Sequence, residues 1–163
     1  MRSLAGYRTN WGGTTNQVEL QQRHWNILAV PAIVLAVMAI LQIISFGHFR
    51  DWLDEIRIGW PAVVAVVIII CELWGAASLL QISWGRSVRV IGLTLALAVS
   101  FFWFVENLML AANGGAGQLP NSGFFGKYLA QSPGWWTILE VTIVLFWVVY
   151  AAELLNWSRN TER

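Results

Sequence analysis

The apolar positions of this chain fall into four long runs separated by polar connections. They predict helices over about 25–46, 59–83, 88–112 and 135–155, each long enough to cross a hydrocarbon core of about 30 Å at about 1.5 Å per residue. The second and third runs, PAVVAVVIIICELWGAASLLQISW and VIGLTLALAVSFFWFVENLMLAA, are joined by the short turn GRSVR and read as a membrane hairpin. Pro31 falls in the first two turns of the first run, where a missing backbone donor costs little. Between the first two runs, GHFRDWLDEIRIGW places Phe49, Trp52, Leu53 and Ile56 at helical spacing with Asp51, Asp54 and Glu55 between them. This pattern predicts a short amphipathic helix lying in the interface. The polar stretch 1–24 reads as a retained tail with a short surface helix around Asn16 to Arg23. It does not read as a removed signal peptide, because no small-residue cleavage site follows the first run. The loop 113–134 is turn-rich, and its middle, Phe124 to Leu129, is placed to dip its aromatics among headgroups. A polar tail, 156–163, closes the chain.

Composition agrees with a membrane class. With 57% hydrophobic and 12% charged residues, and a mean hydropathy of +0.58, the chain has too few polar groups to cover a water-facing domain. The expectation is all-α: one integral membrane four-helix bundle. A net charge of +1 offers no basic field for nucleic acid. The single cysteine, Cys71, excludes an intrachain disulfide and every cysteine-based zinc or iron-sulfur pattern. His24 and His48 flank opposite ends of the first run, so they cannot ligate one haem together. The glycines at 114, 115 and 117 have no following Lys-Ser/Thr and read as a helix-ending turn, not a phosphate loop.

Charge placement sets the expected orientation. Arg2, Arg8, Arg23, Arg86, Arg89, Arg159 and Arg163 share one side of a four-span arrangement, with Arg50, Arg57 and Lys127 on the other. The excess puts both termini in the cytoplasm and the protein in the inner (cytoplasmic) membrane. Trp25, Trp52, Trp60, Trp84, Trp135, Trp136 and Trp157 sit at the span ends, as an interfacial aromatic belt requires.

The acids inside the apolar runs are the candidate chemistry. Glu72, Glu106, Glu140 and Glu153 occur there without any Lys, Arg or His, and a carboxyl in hydrocarbon needs an explanation. Glu72 lies near the middle of its span, with Gly75 and Ala76 on the same face to admit a neighbouring helix. It reads as a protonated acid bonded to that neighbour, as a proton relay, or as a contact to a buried polar ligand. Glu106 and Glu140 match in depth on antiparallel neighbours. Either they meet and share a proton, a cation or a quinone carbonyl, or each is separately paired. Trp103 precedes Glu106 by one turn, and Trp147 follows Glu140 by two. Glu153, near the end of its span, can snorkel or meet Arg159 and reads as structural.

The segment Cys71 to Val90, CELWGAASLLQISWGRSVRV, resembles the central hairpin of the DoxX-like four-helix membrane proteins at Glu72, Gly75, Leu79, Leu80, Gly85 and Arg86. The resemblance implies a four-helix bundle associated with redox chemistry. Some members of that family are membrane subunits of thiosulfate:quinone oxidoreductase, and others accompany terminal oxidases. Three functions follow as expectations. The first is an accessory subunit packing against larger integral membrane subunits of a respiratory or oxidase-type complex. The second is a quinone-handling component, with Glu72 or the Glu106 and Glu140 pair taking protons and Trp74, Trp103 and Trp147 contacting quinone or lipid. The third is a small transporter lined by the same acids. No cofactor is expected to be bound by this chain alone; quinone is the candidate ligand, and the bilayer is the common partner.

Overall fold

A computed structural model describes the backbone of residues 11–80, 86–113, 125 and 134–160, and the side chains of 25–80, 87–113, 125 and 134–153. These residues form five helices: α1 (Trp11–Ile44), α2 (Phe46–Glu55), α3 (Pro61–Leu79), α4 (Arg86–Ala112) and α5 (Trp135–Asn160). No strand occurs among the described residues. Four stretches, Trp25–Ile44, Pro61–Leu79, Ser87–Ala112 and Trp135–Glu153, are long and apolar enough to cross a membrane. The molecule is a multi-pass membrane protein, and its spans fall within a few residues of the apolar runs.

Helix α3 is central, packing on α1, α2 and α4, while α5 packs on α4 and along a shorter stretch of α1. α3 and α4 are antiparallel, since Glu72, Gly75 and Ser78 meet Trp103, Ala96 and Gly92 in that order. Small residues bring the two axes together. A Cβ built on Gly75 would lie 2.8 Å from the Ala96 Cβ, and one on Gly92 would run into Ser78 and the Trp74 ring. Gly92 and Ala96 lie one turn apart on α4, the small-xxx-small spacing of closely packed membrane helices.

Two expectations for the first span need correction. α1 begins at Trp11 and runs without interruption to Ile44, so no separate surface helix stands at Asn16 to Arg23. Pro31 is therefore an interior residue of α1, not one of its first turns. It cannot donate to the carbonyl of Ile27, and the indole of Trp147 on α5 donates there instead, Nε1 to O at 3.0 Å.

α1 and α2 are separated by one residue. Ser45 leaves the helical region (φ −109, ψ 33), yet its N–H and its hydroxyl both donate to the carbonyl of Leu41, at 3.0 and 2.7 Å. α2 forms where its period predicts, with Asp51, Asp54 and Glu55 exposed. Its apolar side is covered by protein: Phe49, Trp52 and Leu53 are buried. Trp52, at 6% exposure, is thus a core residue and not part of the aromatic belt. Trp25, Trp60, Trp135 and Trp136 are exposed at or near span starts, as that belt expects. Trp84 and the Trp157 side chain lie outside the described residues, as does most of the loop 113–134, although Phe125 packs against the core.

The link from α2 to α3 closes with a Schellman turn. Arg57 N–H donates to Asp54 O and Ile58 N–H to Leu53 O, at 2.9 and 3.0 Å, while Ile58 packs on the core beside Leu53. Arg57 occupies the left-handed position (φ 62) that glycine usually fills, and Trp60 (φ 61) is left-handed ahead of Pro61.

Candidate functional site: a buried carboxyl joining three helices

Glu72 sits in the middle of α3 and is 0% exposed. Its Oε1 accepts from Trp103 Nε1 of α4 at 2.8 Å and from Gln42 Nε2 of α1 at 3.2 Å. One carboxyl oxygen thereby ties three helices. The close crossing at Gly75 and Ala96 makes this possible, because bulkier side chains there would hold Trp103 away from α3. Glu72 Oε2 is buried without a hydrogen-bond partner.

An aromatic layer closes over this contact. Trp103 is 1% exposed and lies between elements: its ring is 5.6 Å from that of Trp52 and 6.1 Å from that of Phe49, both on α2, while Phe102 meets it edge-on at 5.4 Å. The amphipathic pattern of α2 thus serves to cap the Glu72 and Trp103 pair. One turn along α4, Asn107 is fully buried and donates its amide Nδ2 to the carbonyl of Trp103 at 2.9 Å.

The other candidate residues are distributed, not gathered. Glu106 and Glu140 are both half-buried, on α4 and α5, and share no hydrogen bond. One oxygen of Glu140, Oε2, is buried without a partner. Glu153 is exposed, and the Arg159 side chain expected to meet it lies outside the described residues. Trp74 is half-buried where α3 crosses Gly92. Trp103, expected as a lipid or quinone contact, faces inward onto Glu72. Trp147 is committed to the Ile27 carbonyl, and its ring lines an apolar groove of about 440 Å³ with Ile27, Thr142, Ile143, Phe146 and Tyr150. Among the described residues, no three His, Cys, Asp or Glu side chains come together in a way that could hold a metal ion.

Gln42 and Asn107 were not among the residues singled out from the sequence. The signal that finds them is an amide inside an apolar run, which in hydrocarbon must be hydrogen-bonded just as an acid must.

Chemically, the Glu72 centre is a hydrogen-bond hub enclosed by aromatic rings. The groove beside Trp147 is a largely apolar surface with two hydroxyls, Tyr150 and Thr142, the latter donating to the Ile138 carbonyl at 2.6 Å, and no charge among its lining residues. Comparison of the chain with protein-family models, curated proteins and solved structures finds no match.

Proposed function

We propose that the chain is a small integral membrane subunit of a larger membrane-bound redox complex, of the respiratory or oxidase type, and that it packs against its partner subunits without holding the reaction centre. The observation that carries this reading is the enclosure of Glu72. The most deeply placed acid is spent on joining α1, α3 and α4, under a cap of Phe49, Trp52 and Trp103. A carboxyl in that position ties the bundle together, and among the described residues it is wholly buried. The association with redox chemistry rests on the resemblance of residues 71–90 to the DoxX-like proteins. The arginine distribution supports termini in the cytoplasm and residence in the inner membrane.

A second reading, a DoxX-like quinone-interacting subunit of an oxidoreductase, draws on the groove between α1 and α5. Phe146, Trp147 and Tyr150 offer aromatic faces there to an apolar ring or chain.

Purification of the tagged chain from its native membrane in a mild detergent, with mass spectrometry of what accompanies it, tests both. Stoichiometric larger membrane subunits carrying a redox cofactor are the expected result. A lone monodisperse chain overturns both subunit readings, and quinone that co-purifies with the complex and is lost on Tyr150→Ala favours the second.

A further inference from the structure

The helix with the least cover is α5. It packs on α4 and over a short stretch on α1, and its span is the least buried of the four. Its outward side is a continuous stripe at helical spacing, Trp136, Leu139, Ile143, Phe146 and Tyr150, all exposed. Lipid satisfies such a stripe by itself. It does not satisfy Glu140, which flanks the stripe, is half-buried, and has one buried oxygen that no described group bonds.

The span Trp135–Glu153 carries two acids, Glu140 and Glu153, and no Lys, Arg or His. Among the described residues the one ion pair is Arg50 with Asp51, on α2. The charge that would complement Glu140 is therefore not supplied by the described part of this chain. A basic side chain fits it best. A guanidinium presents several donors in a plane and serves a half-buried carboxyl without needing water, and an ammonium can do so as a point charge. The groove beside Trp147 adds a recess into which a large apolar side chain of a neighbouring helix can settle.

We propose that the outward stripe of α5 is the docking face for a transmembrane helix of a larger partner subunit, and that this helix brings an arginine or lysine to Glu140. The inference rests on the subunit reading above and names the partner's chemistry. A second copy of this chain is the poorer occupant, because two α5 helices related by a two-fold axis along the membrane normal bring acid to acid with no cation between them.

The test places a photo-crosslinking residue at Phe146, which is 69% exposed, and at Val67 on α3, 52% exposed, as the comparison site. Crosslinking is done in the native membrane and adducts are mapped by mass spectrometry. The expected adduct from position 146 lies on a transmembrane segment of another protein that contains Arg or Lys, with at least about ten-fold less of it from position 67. Glu140→Leu is expected to lower the yield at 146 by about ten-fold, the loss of about 1.4 kcal/mol of binding. The mapping at 146 decides the question even if that variant fails to fold. Adducts with lipid alone, with a second copy of this chain, or with a segment lacking basic residues overturn the proposal, as does equal yield from both positions. A chain that purifies alone defeats the subunit reading itself. A chain that keeps its partner but crosslinks elsewhere defeats only the assignment to α5.

Discussion

The indole of Trp147 donates to the carbonyl of Ile27, the acceptor that Pro31 leaves free one turn later on α1. The pairing joins two helices by repairing a defect in one of them. Leaving such a carbonyl unbonded in hydrocarbon costs about 1–3 kcal/mol. Trp147→Phe is expected to destabilise the protein by about that amount in the native sequence. In a Pro31→Ala background, where residue 31 can donate to Ile27 itself, the same change should cost clearly less. Denaturation of the four proteins in one detergent, analysed as a double-mutant cycle, checks it; equal losses in both backgrounds would show that the bond is not the link.

Glu72 is expected to tolerate Gln and not Leu. Glutamine keeps a carbonyl oxygen for Trp103 and Gln42, whereas leucine leaves two buried donors without their acceptor. The difference between the two variants should reach about 2 kcal/mol or more. Thermal melts in detergent give the order. Near-ultraviolet circular dichroism should lose the signal of the Trp52 and Trp103 pair in Glu72→Leu alone.

The seam of small residues makes a steric prediction. Gly92→Val places branched carbon into Ser78 and the Trp74 ring, and Gly75→Val into Ala96. Each is expected to separate α3 from α4 at a cost of about 1–3 kcal/mol or more. Because Gly92 meets a side chain and Gly75 meets backbone as well, Ser78→Gly should recover part of the Gly92→Ala loss and none of the Gly75→Ala loss. Melting temperatures of these pairs decide it.

Arg57 offers a change in the opposite direction. In its left-handed position (φ 62) glycine carries no Cβ penalty, so Arg57→Gly is expected to raise stability by up to about 1 kcal/mol. Arg57→Val, with a branched Cβ, should lower it. A melt in which both variants move the same way would remove the backbone explanation.

The spans were legible because bilayer thickness imposes run length, and run length is a one-dimensional property. Glu72 was legible for a related reason: a lone acid in an apolar run stands out, and Gly75 and Ala76 announced the approach of a neighbour. Its partners were not, because Gln42 and Trp103 lie 30 and 31 residues away along the chain, and hydropathy carries no information on which faces meet. Glu106 and Glu140 illustrate the same limit, since the depths expected to match did not predict a bond, and no hydrogen bond joins the two carboxyls. α2 was legible as an amphipathic helix, but amphipathicity does not say whether lipid or protein covers the apolar side. Here Phe49 and Trp52 turn to Trp103. The start of α1 was missed because polar residues 11–24 break the apolar pattern without breaking the helix.

The break at Ser45 interrupts the helix at a buried residue, where a break ordinarily strands polar backbone groups. Because that serine returns both its own donors to Leu41, the corner is self-sealed. α2 can therefore take a heading set by its aromatic contacts instead of by the axis of α1. A joint buried under protein that satisfies its own donors holds its shape without a bridging water.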